Sequence, residues 1–327
     1  MIYEGTSLQH AAMPNRFCIL FLLIPQLIYG QFNTEPVLRA DHLYLWRGLD
    51  YLADLPLQQG LDTLNGLVSK EDLNYFQSLV YMANDRIPEA VASIVDYALS
   101  PDYRYAYESQ LLAGLLHHKR GSLSLAMAAF EKAIKMDGAR YEAYLEKIKL
   151  FSDGENYVVG IDHANEAIRK FPHRDLLYLY RGLLYNYEGL FKRARKDFGK
   201  VIGSDQGIDD PHMAQAHSGL SRCYLGQDDV TKAELHIQES LLLAPQDPVT
   251  LGLLGEIRYA QGDLKGALQA FESMLGLRNS IHYYPFIADI NQELGQTKVA
   301  CKYYKASCQA DYDTYYVCKR VRKLNCD

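Results

Sequence analysis

A chain of 327 residues, 48% apolar and 23% charged, has length for a sizeable core or two ordinary domains, and 23 glycines with 11 prolines exclude a collagen-like or low-complexity composition. The net charge of −6, from 34 Lys plus Arg against 40 Asp plus Glu, lacks the basic excess of a non-specific nucleic-acid binder. Twenty-six tyrosines stand against 1 tryptophan and 11 phenylalanines, an excess that calls for a cause in architecture or in binding.

The chain opens on a predicted leader. Arg16 precedes the apolar run Phe17 to Ile28, and polarity returns at Gln31 after Tyr29-Gly30. A positive start, an apolar stretch of about 12 residues and a small residue at the exit predict a secretory signal peptide over residues 1–30, with Met13 where such a leader would begin. A retained N-terminal anchor is the alternative. The run falls short of the ~20 residues of a membrane span, and Pro25 interrupts it. Cys18 sits at the front of the run, which argues against a lipoprotein. Residues 31–40 read as a linker. The expected location is the periplasm, the cell envelope or the medium, with no transmembrane span after leader removal and with peripheral envelope association compatible. Export also favours oxidised cysteines.

From residue 41 to 312 a period of 34 residues is visible. Gly114, Ala126, Phe130 and Ala133 recur as Gly182, Ala194, Phe198 and Val201 two periods on, and again as Gly255, Ala267, Phe271 and Met274. Gly160, Ala164, Ala167 and Pro172 form a weaker copy, as do Ser221, Ala233, Ile237, Ser240 and Pro245. Repeat starts fall at Asp41, Glu71, Tyr107, Tyr141, Asp175, Ala214, Pro248 and Ile281. The longest interval places its surplus in the turn-rich segment Ser204 to Pro211.

This pattern resembles the tetratricopeptide repeat, with a large residue, Leu-Gly, Tyr, Ala-x3-Phe-x2-Ala and Pro in order. The resemblance implies an all-α, right-handed α-solenoid of about eight helix-turn-helix units. Small residues at repeat positions eight and twenty let paired helices approach, and the aromatic at twenty-four fills the space beyond. Gly121, Gly189, Gly262 and Gly295, at position fifteen, are predicted to end first helices in the left-handed conformation, and Pro101, Pro172 and Pro245 to stop second helices. Register also predicts eight core tyrosines: Tyr44, Tyr144, Tyr178 and Tyr284 at position four, Tyr51, Tyr81, Tyr185 and Tyr224 at position eleven. Trp46 fits neither position. The run Tyr103 to Tyr107 and the pair Tyr315-Tyr316 need another reason.

Residues 313–327 are predicted to form a capping helix. In an antiparallel hairpin turning near Asp311, Cys308 with Cys318 and Cys301 with Cys326 share one register, whereas Cys301 with Cys318 and Cys308 with Cys326 do not. Cys301 and Cys308 lie ~10 Å apart along one helix, beyond bridging reach. Two nested disulfides stapling the cap are therefore expected, a zinc site or free thiols being the alternative. Cys223 reads as a buried apolar residue.

No catalytic motif or dinucleotide fingerprint occurs, so the chain is read as non-enzymatic, without cofactor or metal. His117-His118 fits a solvated helix end better than a metal pair. Asp209-Asp210 with His212 fits a turn better than a cation site. In the family, ligands lie in the concave groove at positions two, five, nine, twelve and thirteen of the first helices. Carried over, this nominates Glu108, Leu111, Leu115, His118 and Lys119, then Leu176, Leu179, Leu183, Asn186 and Tyr187, then Gln215, Ser218 and Arg222, some of the leucines belonging to the core. The family's clamp for acidic C-termini is not reproduced. The expected function is a scaffold binding a protein or peptide, not nucleic acid, in assembly of an envelope complex. The alternative is binding of a glycan or peptidoglycan fragment, or an accessory role to an enzyme.

Overall fold

The structure is a computed structural model, and it describes residues 43–46, 48–94, 103–154, 156–205, 208–278, 280–310 and 314–326. The predicted leader and linker, Asp41 and Pro101 lie outside them. Among the described residues there are sixteen α-helices and no strand. No described helix is long and apolar enough to cross a membrane.

The helices are α1 (Leu57–Leu67), α2 (Leu73–Ala83), α3 (Ile87–Ile94), α4 (Ala106–Lys119), α5 (Leu123–Met136), α6 (Glu142–Asp153), α7 (Tyr157–Lys170) and α8 (Asp175–Tyr187). They continue as α9 (Phe191–Ile202), α10 (Asp210–Leu225), α11 (Val230–Leu243), α12 (Pro248–Ala260), α13 (Leu264–Leu277), α14 (Tyr284–Glu293), α15 (Thr297–Gln309) and α16 (Thr314–Lys323). Each packs on the next, and the first helices of neighbouring repeats, α4, α6, α8, α10 and α12, also touch in a row. That row forms the inner layer of an α-solenoid, whose core runs through the array as successive clusters.

Small residues decide how closely each pair packs. A Cβ built on Gly114, Gly182 or Gly255 would collide with Phe130, Phe198 or Phe271, the twenty-fourth residue of the same repeat. Where position eight carries serine instead, the hydroxyl earns its place by donating to a carbonyl across the pair: Ser78 to Ala90 O and Ser221 to Ala233 O, at 2.8 and 2.7 Å. The four predicted glycines take φ of 67° to 81°, and Asp85 and Asp228 adopt the same conformation at position fifteen of their repeats, at 57° and 59°. Pro172 and Pro245 follow the ends of α7 and α11 as expected. Asp209, Asp229, Asp247 and Asp263 cap α10 to α13 by accepting backbone N–H bonds. Asp209 also binds the His212 ring, so the segment that could have been a cation site is a helix start.

The first repeat departs from expectation. Two 3-10 turns, Leu43–Trp46 and Asp50–Asp54, replace its first helix, because Gly48 between them sits at φ 84° and a continuous helix cannot pass. Tyr51 is consequently 47% exposed and not core, while Trp46 is buried. Tyr75 donates to Leu45 O at 2.8 Å and ties this segment to α2.

The tyrosine register also needs correction. Of the eight, Tyr178 and Tyr185 are buried, Tyr81, Tyr144, Tyr224 and Tyr284 are half-buried, and the Tyr44 side chain lies outside the described residues. Long cationic side chains lie over the rings: Lys200 on Tyr178 at 3.5 Å, Lys170 on Tyr144 at 5.2 Å, Arg195 and Lys232 on Tyr224 at 4.9 and 5.4 Å. Cation–π contact and stem packing explain a preference for tyrosine at a half-buried position, where its hydroxyl stays wet. The tyrosines of 103–107 are structural too. Tyr103 donates to Asp72, Tyr105 stacks on Tyr75, and Tyr107 accepts from Ala143 N beneath the Arg140 guanidinium.

Both nested disulfides are present, Cys301–Cys326 and Cys308–Cys318, with Cα separations of 5.3 and 5.2 Å. They clamp α16 onto α15, where Val317 is fully buried. Beneath them Tyr304 and Tyr316 both donate to Asp289, and Arg320 donates to the Tyr316 hydroxyl. This gives Tyr316 a structural role; the Tyr315 side chain is outside the described residues.

Candidate partner-binding groove

The inner layer does not present all the nominated residues. Leu111 and Leu179, at position five, are fully buried because neighbouring first helices approach closely enough to cover them, and Leu115, at position nine, is 5% exposed. They are core residues, which corrects the expectation that they meet a partner. Glu108 is buried under Arg140, which donates to it at 2.7 Å. His118 Nε2 pairs with Asp153 at 2.6 Å, Lys119 is exposed 3.6 Å from Asp85, and Leu176 and Gln215 are half-buried.

Five nominated residues do converge. Leu183, Asn186 and Tyr187 of α8, with Ser218 and Arg222 of α10, line one recess in the inner layer, together with Gly219 and with Val249 and Leu253 of α12. It is shallow and open to solvent, with enclosed space for no more than about one water. At position five α10 carries Ser218 where α4, α6 and α8 carry leucine, whereas the space beside Gly219 is filled by Phe198. Val249 holds the second position of the next repeat and was reachable by extending the register; Leu253, at position six, was not.

The recess is apolar with a polar floor. Asn186 donates to Gly219 O at 2.9 Å and accepts from the Cys223 thiol at 2.8 Å, so it is held in place and not mobile. Burial pushes that thiol up to about 12, which makes Cys223 inert as a nucleophile, as expected of a small core residue. Tyr187 stacks on Tyr157 at 4.6 Å between centroids. Arg222 lies 3.6 Å from Glu256, whose buried carboxyl is nevertheless raised, desolvation outweighing the guanidinium. Elsewhere His118–Asp153 and Tyr259–Glu293 link first helices of neighbouring repeats, and Arg140, the last residue of its repeat, donates to Glu108 at the start of the same repeat. Among the described residues no group of three His, Cys, Asp or Glu is arranged to hold a metal ion.

His282 makes this region acid-sensitive. Its imidazole, 4% exposed, is pulled down to about 3 by burial and secondarily by Arg222. The unfolded chain takes up that proton near pH 6.5 while the native state refuses it, so stability falls as pH drops from about 6.5 toward 3. At pH 5 the loss is about 2 kcal/mol, at ~1.4 kcal/mol per unit. Glu256 acts oppositely, its raised carboxyl favouring the native state on acidification. Denaturant titrations should show a shallower loss between pH 7 and 5 in His282→Phe than in wild type, each referred to its own value at pH 7. An equal slope would place the loss elsewhere.

Two family models, each described as a tetratricopeptide repeat, match residues 107–140 and 179–248. No curated protein matches in sequence. Among solved structures, a tetratricopeptide repeat protein from Parabacteroides merdae aligns with TM-score 0.61 and 15% identity, over 79% of this chain and 99% of that one. The hetero-tetramer of Cut9 and Hcn1 from the APC/C gives 0.61 and 16%, over 87% of this chain and 63% of that one. PilW, described as a widely conserved type IV pilus biogenesis factor, gives 0.56 and 18%, over 66% and 98%. At such identities the likeness is one of fold.

Proposed function

This chain is a tetratricopeptide-repeat protein, and on that premise we propose that it is an exported, non-catalytic scaffold that holds a protein or peptide partner in its concave groove and supports assembly of an envelope complex. The fold is typical of protein-interaction scaffolds. The observation that carries the reading is the recess at Tyr187 and Arg222, where position five of α10 carries Ser218 in place of the leucine of α4, α6 and α8. The half-buried Tyr187 ring beside it supplies contact area for an extended peptide at low entropy cost. Two disulfides clamping the last helix suit an oxidising compartment, and the Arg16 to Gly30 segment supplies the export signal.

Site-specific photocrosslinking in the producing cells tests this. A crosslinker at Gln215, on the inner layer, should capture a discrete partner, one at Leu242, 75% exposed on the second helix of the same repeat, should not. Tyr187→Glu should lower the Gln215 yield about tenfold, as expected on losing one anchor residue, whereas Tyr187→Phe, which keeps the stack on Tyr157, should retain it. Crosslinks from Leu242 alone, or a yield indifferent to Tyr187→Glu, would remove the groove from the function.

A further inference from the structure

The two ends of the array carry opposite charge. From Lys298 to Asp327 there are seven Lys or Arg against three Asp, whereas residues 43–94 hold seven acidic and three basic residues, Asp72 among the acidic ones being buried against Arg104. The repeats between, residues 103–296, are near balance with 22 basic and 25 acidic residues. Exposure follows the same division: Lys298, Lys302, Arg322 and Lys323 are exposed at the C-terminal end, and Asp62, Glu71 and Asp85 at the N-terminal end. The apolar side of α16 is turned inward, with Val317 fully buried, so this cap presents charge in place of a sticky face. Its two disulfides hold the basic side chains on a fixed surface.

We infer that the basic cap of one copy docks on the acidic N-terminal repeats of a second copy, so that the solenoid associates head to tail. Complementary surfaces at opposite ends of a quasi-linear molecule make a heterologous contact, which propagates as an open chain unless its rotation closes a ring. The inference is independent of the groove: it concerns the ends of the array, leaves the recess open, and would multiply partner sites along the assembly. The charges are exposed, so the association is governed by screening, with a Debye length of about 10 Å at 0.1 M salt.

Sedimentation velocity on the full disulfide-bonded chain tests it. Self-association is expected at about 25 mM salt and is expected to weaken at least tenfold by about 500 mM. Lys302→Glu with Arg322→Glu and Lys323→Glu, and separately Asp62→Lys with Glu71→Lys and Asp85→Lys, should each be monomeric alone at low salt. Mixed together, the two reversed chains should associate, because each then offers an end opposite in sign to the other's. A monomeric wild type at low salt, association that survives either reversal or high salt, or a mixture that stays monomeric would overturn the inference. So would cap-dependent binding to vesicles containing an anionic phospholipid in the absence of self-association, which would assign the basic surface to lipid. Wild-type salt dependence is a test in itself should a reversed chain melt early.

Discussion

Phe198→Ala is expected to destabilise the protein by about 3–5 kcal/mol, the range for emptying a buried aromatic site. Phe198 is fully buried, and its ring fills space that a Cβ on Gly182, in its own repeat, or on Gly219, in the next, would already invade. One ring thus joins α8, α9 and α10, and its removal opens a cavity at an interface between repeats. In a one-dimensional array each repeat is stabilised by its neighbours, so a defect in the middle should uncouple the halves. Urea unfolding monitored by circular dichroism should change from one transition to two. Hydrogen exchange should show residues 103–200 losing protection separately from residues 208–310. Gly219→Ala approaches the same site from the other side and should cost about 1–3 kcal/mol by overpacking. A single transition with a shift below ~1 kcal/mol in Phe198→Ala would mean that the neighbouring helices close around the gap.

Reduction of the two C-terminal disulfides is the second large effect. The bridges close loops of 25 and 10 residues, and each is worth roughly 2–4 kcal/mol against the unfolded chain. Serine at Cys301, Cys308, Cys318 and Cys326, or dithiothreitol on the wild type, should release α16 while leaving the groove repeats folded. Amides of 314–326 should then exchange fastest, followed by those of α15. Asp289 lies half-buried beneath the bridges, with its carboxyl raised by burial against the opposing hydrogen bonds of Tyr304 and Tyr316. Loss of the cap should return that carboxyl toward its ordinary range, measurable by NMR titration. Retained protection over α16 after reduction would show that Val317 and the Tyr316 network suffice to hold it.

The strength of the sequence reading depended on how local each determinant is. Four glycines at one repeat position announced left-handed helix ends, but Asp85 and Asp228 at the same position did not, since aspartate visits that conformation only when the surrounding repeat requires it. The cysteine pairing was legible because an antiparallel hairpin constrains index against index, whatever lies around it. Tyr51 was misplaced because a period of 34 says nothing about a single Gly48 that breaks the helix. Leu111 and Leu179 were nominated for the groove by position, and only the spacing of neighbouring inner helices shows that they are covered.

What the sequence determined by itself is the repeat: its period, its helix pairing, its small-against-aromatic contacts and its stapled end, all of which follow from steric rules acting within about forty residues. What only the tertiary structure decided is the surface. Whether a tyrosine is buried, shielded by a lysine or lining a recess depends on a partner side chain some thirty residues away, as with Arg140 over Tyr107 and Arg174 over Tyr141. The recess is likewise the product of three helices at once, its lining drawn from α8, α10 and α12. Packing within a repeat is encoded by the types of residue present, whereas a binding surface is encoded by which of them the stacking leaves uncovered.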